Sequence, residues 1–319
     1  MNTMEKVRFG KTEMMVTPLT LGTWGIGGAG WDENTDEARL DAIAAAVECG
    51  INFIDTAPAY NAGKAERYIG QALEEMGAGT RQKVQIATKC ANSFINGQYV
   101  RSGDPDLILQ QCEESLSNLR TDYIDLLIVH WPDPAIPYEK TFGALTRLKE
   151  EGAIRHIGVS NFNREQLQRA MQCADVEVLQ LQFSMVEQGN KDVLQWAHAQ
   201  DLGVMTYGSL GGGILTGRYR TLEEYAPMDN RNRFYPYFRE PMFSKVMGLL
   251  EVMQPIADRR GVTLAEIAIN WSRQKDFTDT IMFGAQRREK AESNIRCLEW
   301  SLTQEEMDVL DRAADLIIE

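Results

Sequence analysis

Four side chains in the first half of the chain have the types and spacing for handing a proton to a carbonyl oxygen: Asp55, Tyr60, Lys89 and His130. A phenol has an ordinary pKa near 10, which alone suits general acid–base work at neutral pH poorly. An adjacent ammonium favours the phenolate, and Lys89 can supply it. Asp55 would keep Lys89 charged and oriented, and a neutral His130 would hold the substrate oxygen or share the transfer. Taken singly, each has a structural explanation, as a turn former, a packing ring, a solvated amine or a hydrogen-bonded core histidine. Their placement makes the set: they sit at or just past the ends of three consecutive strand-like runs, and adjacent strands lie only about 5 Å apart. The other histidines, His156 and His198, read as a strand residue and a helix-surface residue, so no metal site is expected. The four can donate a proton but cannot reduce anything, so the reductant must be borrowed.

The elements that must position them recur regularly. Apolar runs start at 18 (PLTLGTW), 51 (INFIDT), 84 (VQIATK), 123 (YIDLLIVH), 154 (IRHIGVS), 176 (VEVLQLQF), 202 (LGVMTYG) and 279 (DTIMFG). Their apolar residues are continuous rather than alternating, as in strands covered on both faces. Between them lie stretches with helical periodicity, among them 35–49, 105–119 and 187–200. Eight such β/α units close a (β/α)8 TIM barrel, expected here as one α/β domain over 1–319. The opening EKVRFGKTEMMVTP predicts an N-terminal β-hairpin able to plug the barrel bottom. The stretch 208–241, polar and rich in glycine and aromatics, predicts a long loop after strand seven, followed by helices near 242–259 and 263–275.

Composition narrows the function classes. Thirty-three basic against 46 acidic residues give a net charge of −13, unfavourable for nucleic acid or an anionic membrane. The longest apolar runs, such as Leu126–Val129, are far shorter than the roughly 20 residues that span a bilayer. The N-terminus has no apolar signal core, and the five cysteines are scattered without a C-x-x-C pair. A cytoplasmic protein is expected. Residues 25–30, GIGGAG, match G-x-G-x-x-G after a strand, but Trp31-Asp32-Glu33 separates them from the helix. A dinucleotide fingerprint needs the helix to open at the third glycine. The match therefore reads as a flexible barrel-mouth loop, with the helix capped at Asn34 or Thr35 and a capping box to Glu37.

At these residues the sequence resembles the aldo-keto reductase superfamily over nearly its whole length. LTLGTWGIGG, INFIDTAPAY, IATK, LLIVHWPDP, IRHIGVSNF, YGSLGGGILTGRY and RREKAESNI are similar to family motifs in the expected order. The intervals of five, 29 and 41 residues fit the family tetrad of Asp, Tyr, Lys and His. HWPDP and the long loop resemble the bacterial and channel-β-like branches.

The resemblance implies a nicotinamide dinucleotide, NADPH with NADH possible, lying across the barrel mouth. By position it places Ser160, Asn161 and Gln180 on the carboxamide and Tyr207 against the nicotinamide ring. Gly22, Thr23 and Trp24 would line the ring's other side, next to Asp55. Gly208, Ser209 and Leu210 would cradle the pyrophosphate, with Gly212 among the glycines that permit close approach. Past Gly284, the residues Gln286, Arg287, Arg288 and Lys290 concentrate positive charge at a helix start, suited to a 2′-phosphate. Asn294 would contact adenine. Ser293 stands where many members carry Glu, and Phe183 where Tyr is common.

Trp24, Trp31, Tyr60, His130 and Trp131 are the expected substrate pocket, joined by Phe234, Tyr235 and Tyr237, with Arg218 or Arg231 able to swing in from the long loop. The implied activity is reduction of aldehydes, ketones or sugar carbonyls to alcohols, with Tyr60 as proton donor. Two alternatives remain: a slow-turnover NADP(H)-binding redox sensor, and a Schiff-base aldolase using Lys89. The expected partner is a small carbonyl or alcohol, with no nucleic acid or membrane and no protein partner indicated.

Overall fold

The computed structural model describes residues 4–95, 98–222 and 229–318. Eight parallel strands close a barrel in sequential order: Leu19–Gly22, Phe53–Asp55, Gln85–Cys90, Ile124–Val129, Ile154–Ser160, Val178–Gln182, Gly203–Tyr207 and Thr280–Gly284. All eight fall in the apolar runs read from the sequence. The intervening helices include Asp36–Glu48, Pro105–Leu119, Lys191–Ala199, Met242–Arg260 and Leu264–Arg273. The N-cap of the first of these is Thr35, whose side chain accepts from the Ala38 N–H. Asn34 is drawn away to the Gln286 carbonyl, so the alternative capping box from Asn34 to Glu37 is not formed.

The barrel interior follows the two-residue period of the strands. Phe53, Ala87, Leu126, Ile128, Val178, Met205 and Met282 form one buried cluster inside it. Continuing each series by two reaches Asp55, Lys89, His130, Gln180, Tyr207 and Gly284. All but Gln180, which Gln182 follows on the same face, are the last inward-facing positions at the C-terminal rim. The hairpin Val7–Arg8 with Met15–Val16 closes the other end. Its turn residue Phe9 is fully buried against Phe53, with ring centroids 5.6 Å apart. Gly10 has φ +52°, and a Cβ there would run into the backbone of Gly203, so only glycine lets the plug seat.

Three features at the rim differ from the sequence reading. Residues 25–30 are not simply loop: Trp24–Gly27 forms one helical turn. Part of 208–241 is ordered as the helix Asn230–Phe234 and the 3-10 turn Pro236–Phe238, while 223–228 lie outside the described residues. A second hairpin, Asn92–Ile95 with Gln98–Arg101, follows the third barrel strand. No described helix is long and apolar enough to cross a membrane.

Candidate active site

Register brings the tetrad together. Asp55 pairs with Ala87 on the third strand, so Lys89 stands on the same inward face, one pleat nearer the rim. Its ammonium is 2.6 Å from Asp55 Oδ1, donates to the Thr56 carbonyl at 2.8 Å and donates to the Tyr60 hydroxyl at 3.1 Å. An ammonium has three hydrogens, and all three are used. The Lys89 and Asp55 side chains are each 1% exposed. Burial draws Lys89 below and Asp55 above their ordinary pKa values, while each partner's charge works the other way.

Tyr60 lies in the turn after the second strand, stacked on Trp24 with centroids 6.2 Å apart and edge-on to His130 at 6.0 Å. Its phenol is not made acidic as expected: burial, with the Asp55 charge added, pushes it well above its ordinary value. It is therefore a protonated donor at neutral pH. Because its oxygen accepts from Lys89, its own O–H remains available for another acceptor.

His130 follows the end of the fourth strand, tied to the third by its N–H to the Cys90 carbonyl at 3.0 Å. Burial, helped by the charges of Lys89 and Arg101, holds its pKa well below the usual imidazole value. The ring is neutral. Asn92, 4% exposed, brings its amide nitrogen to 3.4 Å from Nδ1. With Asn92 donating there, Nδ1 accepts and the ring proton sits on Nε2. Asn92 was missed in the sequence because it belongs to no motif and reaches His130 only through the hairpin.

The residues expected at the nicotinamide join the tetrad in one hydrogen-bond chain. Tyr207 Oη donates to Asn161 Oδ1 at 2.8 Å, and Asn161 Nδ2 donates to Ser160 Oγ at 3.1 Å. Ser160 Oγ contacts Gln180 Oε1 at 3.4 Å, and Gln180 Nε2 donates to Asp55 Oδ2 at 2.8 Å. Across the rim, Thr23 Oγ1 donates to the Asp55 carbonyl at 2.9 Å, and Gly22 lies level with both Asp55 and Gly284. Beyond Tyr207 the backbone turns left-handed at Gly208, Gly211, Gly212 and Gly213. Ser209 is fixed by Oγ to the Met282 carbonyl at 2.7 Å. Among the described residues the N–H groups of Ser209 and Leu210 have no acceptor, as an anion cradle requires.

The residues expected at the adenine end lie at the rim beyond the eighth strand. Gln286 donates to the Gly25 carbonyl at 2.7 Å, and Asn294 is buried against the Gly284 carbonyl at 3.3 Å. Arg287 donates to Asn34, and Lys290 is exposed at the start of the helix Arg288–Ile295. Arg288 is engaged within the protein. It is paired with Asp41 at 2.6 Å and Glu48 at 2.8 Å, because the first helix of the barrel presents both carboxylates to it. Ser293 accepts from Arg296, and Phe183 is a core residue stacked on Trp271.

At the pocket, Trp24 is packed edge-on by Trp31 and Phe234, and Trp131 lies beside His130 with near-parallel rings. Tyr235 and Tyr237 are buried against the glycine-rich turn, and the Tyr235 ring centroid lies 6.5 Å from that of Trp31. Neither Arg218 nor Arg231 is poised to swing in. Asp32 accepts from both, at 3.1 and 2.7 Å, and Arg231 is also held by Asp229. The Asn230 N–H donates to the Gly30 carbonyl and its side chain to the Ala29 carbonyl. The G-x-G-x-x-G match is thus where the long loop docks.

Comparison with known proteins agrees with this geometry. The aldo/keto reductase family model matches residues 18–315. A Bacillus subtilis aldo-keto reductase is 34% identical, over 95% of this chain and 91% of its own length. An Escherichia coli NADH-specific methylglyoxal reductase is 30% identical, over 98% and 99%. Among solved structures, a glycerol dehydrogenase from Gluconobacter oxydans superposes with a TM-score of 0.87 at 31% identity, covering 98% of this chain and 96% of that one. The chain belongs to the aldo/keto reductase family and is a nicotinamide-dependent oxidoreductase of that family.

Proposed function

We propose that the protein reduces aldehydes, ketones or sugar carbonyls to alcohols, with Asp55, Tyr60, Lys89 and His130 as its catalytic residues. The observation that carries this reading is the saturated Lys89 ammonium, bonded at once to Asp55, to the Thr56 carbonyl and to the Tyr60 hydroxyl. The nicotinamide cofactor supplies the hydride when bound. Tyr60 donates its proton to the substrate oxygen, and the His130 Nε2–H donates a second hydrogen bond. As Tyr60 gives up its proton, the ammonium already facing its oxygen meets the growing negative charge. That interaction is stronger in the transition state than before it, which is what accelerates a step. Lys89 therefore acts on the product of proton transfer rather than by ionising Tyr60 beforehand. In the reverse direction the same phenolate takes a proton from an alcohol.

The cofactor's fit rests on this chain's own donors. Asn161, Ser160 and Gln180 would hold the carboxamide, Tyr207 the ring face, and Gly22, Thr23 and Trp24 its opposite side. The free N–H groups of Ser209 and Leu210, with Gly208 and Gly212, would take the pyrophosphate. Gly284, Gln286, Arg287, Lys290 and Asn294 would line the adenine end, where Arg288 serves only if it leaves Asp41 and Glu48. NADPH is the assigned cofactor, and the engagement of Arg288 favours acceptance of NADH as well. The aldolase alternative fails on the amine: a Schiff base needs a free lone pair, and Lys89 is buried, paired with Asp55 and out of spare hydrogens. The redox-sensor alternative differs in turnover rather than in site.

Tyr60→Phe tests the assignment. It should lower aldehyde reduction by about 10²- to 10⁴-fold while NADPH binding, read by fluorescence, persists. Parental turnover in that variant removes Tyr60 as the donor.

A further inference from the structure

The hairpin over the mouth brings a cation to the site that the proton-transfer step does not use. Asn92 and Arg101 are directly opposite each other across its two strands. Opposite residues of an antiparallel pair project from the same face, and here both meet the catalytic wall. Asn92 reaches the His130 ring, and the Arg101 guanidinium lies 4.1 Å from the centroid of the Trp131 ring. Trp131 in turn runs nearly parallel to His130, with centroids 6.5 Å apart and planes 26° from each other. Arg101 thus stands one aromatic ring beyond the group that faces the reacting oxygen.

Among the described residues Arg101 has no carboxylate partner. Three acids at this end of the barrel are engaged elsewhere. Asp133, two positions past Trp131, accepts the Gly103 N–H on one oxygen at 3.0 Å and the Ala135 N–H on the other at 2.8 Å. Asp32 is taken by Arg218 and Arg231, and Asp55 by Lys89 and Gln180. In a chain of net charge −13, an exposed guanidinium beside the reaction centre is a local inversion of sign. Its place over the Trp131 ring leaves its N–H fork without an acceptor among the described residues. Arg233 lies on the opposite overhang, 5.2 Å from the Phe234 centroid and also without an acid partner among the described residues.

We propose that Arg101 recognises an anionic oxygen group, a carboxylate or a phosphate, carried by the carbonyl substrate at a distance from its reacting carbon. The inference rests on the reductase reading and adds its substrate class: carbonyl acids or carbonyl phosphates rather than neutral aldehydes. Trp131 would pack the body of such a substrate while the guanidinium takes the anion in a forked pair of hydrogen bonds.

Three para-substituted benzaldehydes test it by kcat/KM with NADPH and with NADH: 4-methylbenzaldehyde, 4-formylbenzoate and 4-formylphenyl phosphate. The expected result is a preference of about tenfold or more for at least one anionic aldehyde at low salt, shrinking as salt is raised. The two anionic arms show which group is read. Arg101→Gln should abolish that preference while leaving 4-methylbenzaldehyde within about threefold of the parent, and Arg101→Lys should restore only part of it. Equal turnover of neutral and anionic aldehydes by the parent overturns the inference and leaves the reductase reading standing. So does an Arg101→Gln variant that loses all three alike, since Arg101 would then only prop Trp131 and His130. Failure of the parent to reduce any of the three with either cofactor overturns the reductase reading, and this inference with it.

Discussion

Lys89→Met removes the one cation in the barrel mouth on which three acceptors depend. The side chain stays long and apolar, so little volume is lost, but the Asp55 carboxylate keeps only the Gln180 amide as a partner. Breaking a buried pair from one side costs about 3–5 kcal/mol, because the surviving charge is left uncompensated. Unfolding entropy of about 2.1 cal/mol/K per residue gives a chain of this length roughly 0.7 kcal/mol/K, so the melting temperature should fall by about 4–7 °C. The loss should depend on pH. Burial already pushes Asp55 above the ordinary carboxylate range, and without the ammonium it rises further. A carboxylate with a raised folded pKa holds a proton that the unfolded chain has released. Stability is then greatest below the unfolded value near 4 and declines as pH rises through the folded value. The deficit relative to the parent should therefore be smaller near pH 5 than near pH 8. Thermal unfolding followed by circular dichroism at both pH values measures it. Asp55→Asn combined with Lys89→Met should melt higher than Lys89→Met alone, since a neutral amide can keep the Gln180 contact. An Lys89→Met protein that melts within a degree of the parent at pH 8, or a deficit equal at both pH values, would refute the buried-pair reasoning.

Other outcomes follow from the same geometry. With His130 held neutral and Tyr60 pushed above its ordinary value, kcat for reduction should be flat from about pH 5 to 9 and fall only where the phenol ionises, while alcohol oxidation should climb with pH. A limb near pH 6.5 in the reductive profile would show that the imidazole titrates after all. Asn92→Leu should lower kcat about fivefold, the worth of one hydrogen bond. Asn92→Asp should fall further, because an acceptor at Nδ1 draws the ring proton off Nε2; parental activity in Asn92→Asp would contradict the tautomer assignment. Freeing Arg288 by Asp41→Asn with Glu48→Gln should raise the NADPH-over-NADH affinity ratio several-fold in fluorescence titrations. An unchanged ratio would place Arg288 outside the cofactor site.

Much of this protein was legible in one dimension. The eight strands announced themselves because strands covered on both faces are continuous apolar runs, and that pattern survives in the sequence without any tertiary information. Asp55, Lys89 and His130 were legible for a related reason, while Tyr60 lies in a turn and was found by its spacing from Asp55. Side chains alternate along a strand, so the last inward position is fixed by counting, and closure of the barrel brings those positions together. What the sequence could not decide was which charges pair once the chain is folded. Arg288 resembles a phosphate ligand until Asp41 and Glu48 arrive from a helix some 240 residues away in the chain. Arg218 and Arg231 resemble mobile substrate contacts until Asp32 clamps them. The acidity of Tyr60 likewise depended on burial and on the Asp55 charge beside it, a sum over the whole surrounding volume. Strand periodicity is a local property of the backbone and is written residue by residue. Desolvation and the pairing of charges are properties of a three-dimensional neighbourhood, which exists only after the barrel has closed.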